Sequence, residues 1–240
     1  MNPEHRVRLQ AACVLHHRPY RNTSKLLEVF SRDFGRIGLV ARGVRRGRSA
    51  TGSLLQPFAP LLLSWSGRGE LCSLTGVEAG GRAHPLTGPK LICGFYMNEV
   101  LLRLLHRGDP HPRLYDAYTG SLMRLESEQN VESVLRRFER DLLQEIGYGL
   151  SLEHEADSGE PIDPAVLYIY RPDAGPVRKS RGHGDEAVVH GQTLLEIAAD
   201  NLSEGRSLRE AKSLMRGVID YHLGGKPLHT RSFYWQKSFQ

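Results

Sequence analysis

Cysteine is scarce in this chain of 240 residues: Cys13, Cys72 and Cys93 are an odd number and lie far apart. They are too few and too scattered for a disulfide framework, and read as small buried hydrophobes in a reducing compartment. Long apolar runs are missing too. The densest, "APLLL" and "VLLRLL", fall well short of the ~18 residues of a membrane span. The opening "MNPEHRVRLQ" has no apolar segment of the kind that directs secretion, so a cytoplasmic protein is expected. An apolar content of 40% with 25% charged residues excludes wholesale disorder.

Catalytic motifs are equally thin. Asp33-Phe34-Gly35 matches the metal-binding tripeptide of kinases, but no glycine-rich nucleotide loop accompanies it, and a hairpin turn accounts for it. "TGPK" lacks the spacing and the following hydroxyl of a phosphate loop, and reads as a linker entering a helix. His16 and His17 are adjacent, so in a strand they point to opposite faces; with Cys13 alone nearby they make no metal site. No pair of carboxylates has an acid/base arrangement. The sequence is that of a binding protein with no cofactor and no metal, not of an enzyme.

What the chain does have is a basic front. Residues 1–50 hold eleven Lys/Arg against three Asp/Glu, a net of +8, while the other 190 residues carry 21 against 24, a net of −3. Ten of those eleven bases are arginine, whose planar fork grips phosphate oxygens bidentately and stacks on bases. Tyr20 lies between Arg18 and Arg21, and Phe34 between Arg32 and Arg36. "LVARGVRRGRS" adds Arg42, Arg45, Arg46 and Arg48, with Gly43 and Gly47 letting the chain lie close to a phosphate backbone. Charge interleaved with aromatics suits single-stranded nucleic acid, where a groove tracks phosphates and rings stack on bases. The candidate DNA-binding residues are Arg18, Tyr20, Arg21, Lys25, Arg36, Arg42, Arg45, Arg46 and Arg48.

The same region patterns as strands. Val7, Leu9, Ala11, Cys13 and Leu15 alternate with polar residues. After the loop "HHRPYRNTS", the segments "KLLEVFS" and "IGLVARGV" flank a turn, the third strand running through Val44 into an arm. "SLLQPFAPLLLSW" and "ELCSLTGVEA" then flank "SGRG", with Pro57 and Pro60 implying an edge or bulge in the fourth strand. Five short strands predict a small barrel of the OB type, an SH3-like barrel having the same tally.

Beyond about residue 80 the period becomes helical. "KLICGFYMNEVLLRLLHRG" is apolar nearly all round and predicts a helix at the centre of a bundle. "RLYDAYTGSLMRLES" and "NVESVLRRFERDLLQEIGYG" follow. In the second, Asn130 caps the start, Gly147 closes the end, and Val131, Leu135, Phe138, Leu142 and Ile146 form one stripe. Residues 151–190 lack a period apart from "VLYIY". "QTLLEIAADNLSEG" and "SLREAKSLMRGVIDYHLGG" are helical again, Ser207 and Glu210 predicting a capping box. The expected organisation is α+β: a five-stranded OB barrel at 1–80, then a mostly helical domain at 81–240 with an irregular insertion at 151–190.

In "VLRRFERDLL", Arg136 and Arg140 share a face and Arg137 is displaced beside the apolar stripe. This is a solvated helix face or a pocket for an acidic peptide with an apolar end: Arg136 and Arg137 for carboxylates, Leu135 and Phe138 for the apolar part. The stripe Arg209, Lys212, Arg216 reads as solvent-facing.

Taken in order, "VLHHRPYRNTSKLLEVFSRDFGRIGLVARGVRRGRS", "LQPFAPLLLSWSGRGEL", "YMNEVLLRLL", "LRRFERDLLQEIGYG", "SGEPID" and "AKSLMRGVIDYHLGGKPLHTRS" resemble the RecO family of bacterial recombination mediators, from about residue 7 to 232. The resemblance implies an N-terminal OB-fold and a helical domain in a protein of the bacterial cytoplasm, associated with the nucleoid. It implies binding of single- and double-stranded DNA and annealing of complementary strands. It also implies that, with RecR, the protein helps RecA replace single-strand-binding protein, whose acidic C-terminal tail it recognises. The residues alone leave an RNA- or ribosome-associated OB protein open. Many family members carry a four-cysteine zinc site in the C-terminal module, but residues 151–190 here contain no cysteine, which places the chain in a zinc-free branch. The tail reads "KPLHTRS" where the family has a Lys-Ser-Arg version; Arg231 is retained, and roles of the other two positions do not carry over.

Overall fold

A computed structural model of the chain describes residues 6–45, 50–180, 187–202 and 205–232. The chain divides into two compact units, Met1–Glu128 with Leu228–Gln240, and Gln129–Pro227.

In the first unit, strands β1 (Arg6–Tyr20), β2 (Ser24–Ser31), β3 (Gly35–Ala41), β4 (Pro60–Ser66) and β5 (Leu71–Ala79) close into a barrel ordered β1-β2-β3-β5-β4. Every seam is antiparallel except β3–β5. That order with one parallel seam is the OB arrangement, which decides against the SH3-like alternative. Inward side chains including Val14, Leu27, Val29, Leu39, Leu61, Leu63 and Trp65 fill the interior.

The alternation expected in β1 fails for a physical reason. Bulges between Val7 and Gln10 and between Val14 and His16 shift its parity. Ala12 and Val14 therefore face inward, while Leu9 is 51% exposed in a left-handed backbone conformation. The second bulge also carries the strand through "HHRPY", expected as loop, so that Arg18 pairs with Leu26 and Tyr20 with Ser24. At the other end of β3, Gly43 turns the chain away with φ +73, and the strand stops at Ala41 rather than Val44. The expected fourth strand begins instead as the short helix α1 (Ala50–Leu54), and only Pro60 onward is extended. Pro60 takes the first strand position, where its missing N–H costs nothing.

Helices α2 (Gly88–Leu104) and α3 (Pro112–Ser127) belong to the same unit as the barrel. The apolar α2 is not central to a bundle: it packs between β1 and α3. Its buried Asn98 donates to Leu15 O at 2.9 Å and accepts from Tyr118 Oη at 2.6 Å. Phe30 of β2 meets Tyr115 and Tyr118 edge to face, at ring separations of 5.5 and 6.3 Å. The chain returns at Leu228, where the Glu99 carboxylate accepts from His229 N, Thr230 N and Thr230 Oγ1 at 2.7–2.8 Å.

The second unit holds α4 (Val131–Glu145), α5 (Gly191–Ala198), α6 (Arg206–His222) and a sheet ordered β7-β6-β8, from β6 (Leu167–Arg171), β7 (Gly175–Arg178) and β8 (Val188–His190). Asn130 caps α4 through Ser133 N, and Gly147 follows with φ +84, as its sequence predicts. Residues 151–190 are more regular than expected. Buried Glu155 accepts from Ser158 Oγ, Tyr168 Oη and Arg178 Nε at 2.5–2.9 Å, pinning the 151–163 loop to β6 and β7. The Ser207–Glu210 capping box does not form. Helix α6 starts two residues earlier than that box requires, with Gly205 at the cap, and Glu210 instead accepts from His190 N, His190 Nδ1 and Thr193 Oγ1 at 2.6–3.0 Å.

Candidate nucleic-acid interface

The β1–β2 hairpin ends in a three-residue tip, Arg21-Asn22-Thr23, between the paired Tyr20 and Ser24. Arg21 adopts φ +50, and its guanidinium lies 5.3 Å over the Tyr20 ring, within cation–π range. The chain leaving β3 comes back to this tip: Arg45 N donates to Thr23 O at 3.0 Å, and Arg45 Nη1 to Arg21 O at 3.3 Å. Lys25 pairs with Pro19 on one side and Ala41 on the other, which places it at the same end of the barrel, and Arg42 follows Ala41 directly. Arg18 is two residues from Tyr20 along β1, on the same side of the strand.

Arg18, Tyr20, Arg21, Lys25, Arg42 and Arg45 are thus brought to one end of the barrel. The four arginines are exposed, Tyr20 and Lys25 half-buried. Among the described residues no ion pair engages any of these five cations. His17 nearby is held below its ordinary pKa by burial and then by the charge of Lys25, so its ring adds little charge at neutral pH. The cluster offers unneutralised forks and one aromatic ring on a framework set by backbone pairing. It combines phosphate contacts with a stacking surface.

Arg36 does not join it. Its guanidinium donates to Leu102 O at the end of α2 and faces Glu28 at 3.9 Å. Burial pulls its pKa down, opposed by Glu28. Arg107 completes this covered patch by bonding Glu28 and donating to Glu70 O at 2.9 Å. Only glycine fits at Gly35 beside it: φ is +65 and an added Cβ would sit 2.0 Å from Asp109 O. Part of the outer β2–β3 face, a nucleic-acid surface in OB folds, is therefore taken by the chain itself, and the cations without ion pairs among the described residues gather at the tip end. Arg46 and Arg48 lie outside the described residues.

In the second unit Leu135 and Phe138 sit in the buried face of α4 with 3% and 0% exposure. Arg136 is also buried and pairs with Glu139 at 2.7 Å and Glu132 at 3.8 Å. Arg137 reaches the surface, where its Nε donates to Asp200 Oδ1 at 2.6 Å. Arg140 joins it: Nη1 donates to Ile197 O at 3.1 Å and lies 3.5 Å from the same Asp200 oxygen, while Asp141 takes Nη2 at 2.9 Å. Asp200 carries no local motif and lies 63 residues from Arg137, so no sequence pattern points to it. On α6, Lys212 pairs with Glu132 at 2.7 Å while Arg209 and Arg216 are exposed. Among the described residues no group of three or more His, Cys, Asp or Glu is placed to hold a metal ion, and no helix is long and apolar enough to cross a membrane.

Both halves of the chain match known proteins. The family model described as "Recombination protein O N terminal" matches residues 6–81, and "Recombination protein O C terminal" matches 86–232. A DNA repair protein RecO of Nitrosococcus oceani is 52% identical over 226 residues, covering 94% of this chain and 92% of that protein. The DNA repair protein RecO of Methylococcus capsulatus is 50% identical over 234 residues, covering 97% and 95%. That of Dechloromonas aromatica is 46% identical over 237 residues, covering 98% of each. Matches to both halves and full-length relatives at this identity lead to one conclusion: the chain belongs to the RecO family.

Proposed function

We propose that this member of a DNA repair family acts as a recombination mediator in the bacterial cytoplasm. It binds single- and double-stranded DNA, anneals complementary strands and, with RecR, helps load RecA onto DNA covered by single-strand-binding protein. The observation that carries the DNA part is the cluster of Arg18, Arg21, Lys25, Arg42 and Arg45 around Tyr20, without ion pairs among the described residues and fixed by the bonds from Arg45 to the hairpin tip. Annealing needs no covalent chemistry. Neutralising phosphates lets two strands approach, and base pairing supplies the driving force. Strand annealing measured with naked DNA, and with DNA coated by single-strand-binding protein with or without its tail, tests this function. Annealing of naked DNA, with activity on coated DNA only when the tail is present, is expected. Loss of neither activity on removing the tail counts against tail recognition, and no annealing of naked DNA counts against the mediator reading.

For the acidic tail, the supporting residue is Arg137, the one member of the expected set Leu135, Arg136, Arg137 and Phe138 that reaches the surface on its own ion pair. With Phe138 and Leu135 in the core, this site supplies charge recognition rather than an apolar slot. Arg137→Ala then weakens binding of an acidic peptide and leaves naked-DNA binding nearly intact.

A further inference from the structure

Two guanidinium groups, from Arg137 and Arg140 on α4, converge on the single carboxylate of Asp200 just past α5. Asp200 sits in the left-handed region at φ +56, among the few non-glycine residues of the described chain to do so. Its backbone oxygen also faces Arg137 Nη2 at 3.5 Å. Arg140 has other anchors, Ile197 O and Asp141. Arg137 pairs with Asp200, and the pair is accessible: the side chains are 30% and 37% exposed.

We infer that Asp200 is an internal competitor for the arginine site, holding with its own carboxylate the place that an acidic peptide's carboxylate takes. This rests on the reading of Arg137 as part of an acidic-tail site and assigns that site its regulation. The chemistry fits in three ways. A carboxylate against a guanidinium has the geometry an incoming carboxylate requires, so the fork is already oriented for it. An ion pair at this exposure is weak, so exchange of one carboxylate for another is nearly balanced, and an incoming ligand with several acidic groups wins. Asp200, once displaced, turns into water at little desolvation cost. The resting site is thus shielded from single stray anions, and a ligand bearing several carboxylates opens it.

The test is the affinity of a fluorescent peptide ending in several aspartates for the full chain, in low salt, with four variants. Asp200→Asn keeps the shape, and Asp200→Gly keeps the left-handed backbone without strain, so at least one remains folded by circular dichroism. Both should bind the peptide about two- to fivefold more tightly, the range of one exposed ion pair, with the gain fading as salt is raised. Arg137→Ala should lose most of the binding, and Arg137→Ala/Asp200→Asn should bind no better than Arg137→Ala. If Arg137→Ala abolishes binding while both Asp200 variants bind unchanged or more weakly, Asp200 is not a competitor and the inference falls. If Arg137→Ala itself changes nothing, the acidic-tail site is the reading that fails.

Discussion

Arg45 donates from its guanidinium to the carbonyl oxygen of Arg21 at 3.3 Å, joining the chain beyond β3 to the tip of the β1–β2 hairpin. The bond holds Arg21 in its left-handed conformation with its own guanidinium over Tyr20. One arginine thereby sets the position of another, and the hairpin tip and the arm present their charges as one surface.

A contrast between two arginines six residues apart follows from this division. Arg36→Ala removes the donor to Leu102 O and the charge facing Glu28, and should cost about 1–3 kcal/mol of stability in urea unfolding. Its effect on the salt dependence of DNA binding should be small. Arg42→Ala should leave unfolding within ~0.5 kcal/mol of wild type and make the log–log salt slope shallower by ~0.7 for single strands.

The buried bridge from Leu15 O through Asn98 to Tyr118 ties β1 to α2 and α3. Asn98→Ala removes both bonds, the one to the Leu15 carbonyl and the one from the Tyr118 hydroxyl, and should destabilise by about 2–4 kcal/mol in urea titration. Tyr118→Phe leaves one bond of Asn98 intact and should cost about 1–2 kcal/mol, about half of the larger loss.

Acid sensitivity should trace in part to Glu155. Hydrogen bonds from Ser158, then Arg178 and Tyr168, outweigh burial and hold its carboxyl below the ordinary value of 4.5. A carboxyl lowered in the folded state stabilises the fold above its unfolded pKa, and this stability is lost as pH falls through the folded value. Thermal melting from pH 7 down to pH 3 should show this loss starting near pH 4.5–5. Glu155→Gln should melt lower at pH 7, with a flatter decline below pH 5.

The thiols should be silent in the native protein. Cys13 and Cys93 are fully buried, and burial pushes the Cys13 thiol up to about 12, with Tyr115 Oη at 3.7 Å. Alkylation at pH 8 followed by mass spectrometry should leave both unmodified until denaturant is added. Rapid native labelling of Cys13 would contradict its burial beside Tyr115.

The order of strands and helices was legible because turn chemistry such as "RNTS", "RDFG" and "SGRG" separates apolar segments, and because α4 carries its caps at Asn130 and Gly147. The faces of β1 were not, since two bulges invert its parity and Cys13 and Leu15 are buried on the outer side as Ala12 and Val14 are on the inner. The sheet around β6 was half hidden because β8 has three residues, too few to display a period. Among the arginines, sequence indicated an excess of charge at the front but not its allocation. Arg36 is taken by a carbonyl 66 residues away and Arg32 by Asp116, 84 residues away, and no local pattern announces either. The acidic-peptide reading named Phe138 and Leu135 because their apolar character fits a pocket, whereas the same character places them in the core.

The central claim is that the tip of the first hairpin and the arm after β3 bind single-stranded DNA through phosphates. The most direct measurement is the affinity for a single-stranded oligonucleotide from low to moderate salt, for wild type and for Arg21→Glu/Arg42→Glu. With about four to six phosphates contacted, wild type should give a log–log slope of about −3 to −4. The double variant, folded and with unchanged melting, should bind at least tenfold more weakly with a slope shallower by ~1.4, two contacts' worth. Wild-type affinity and slope in that variant would contradict the account.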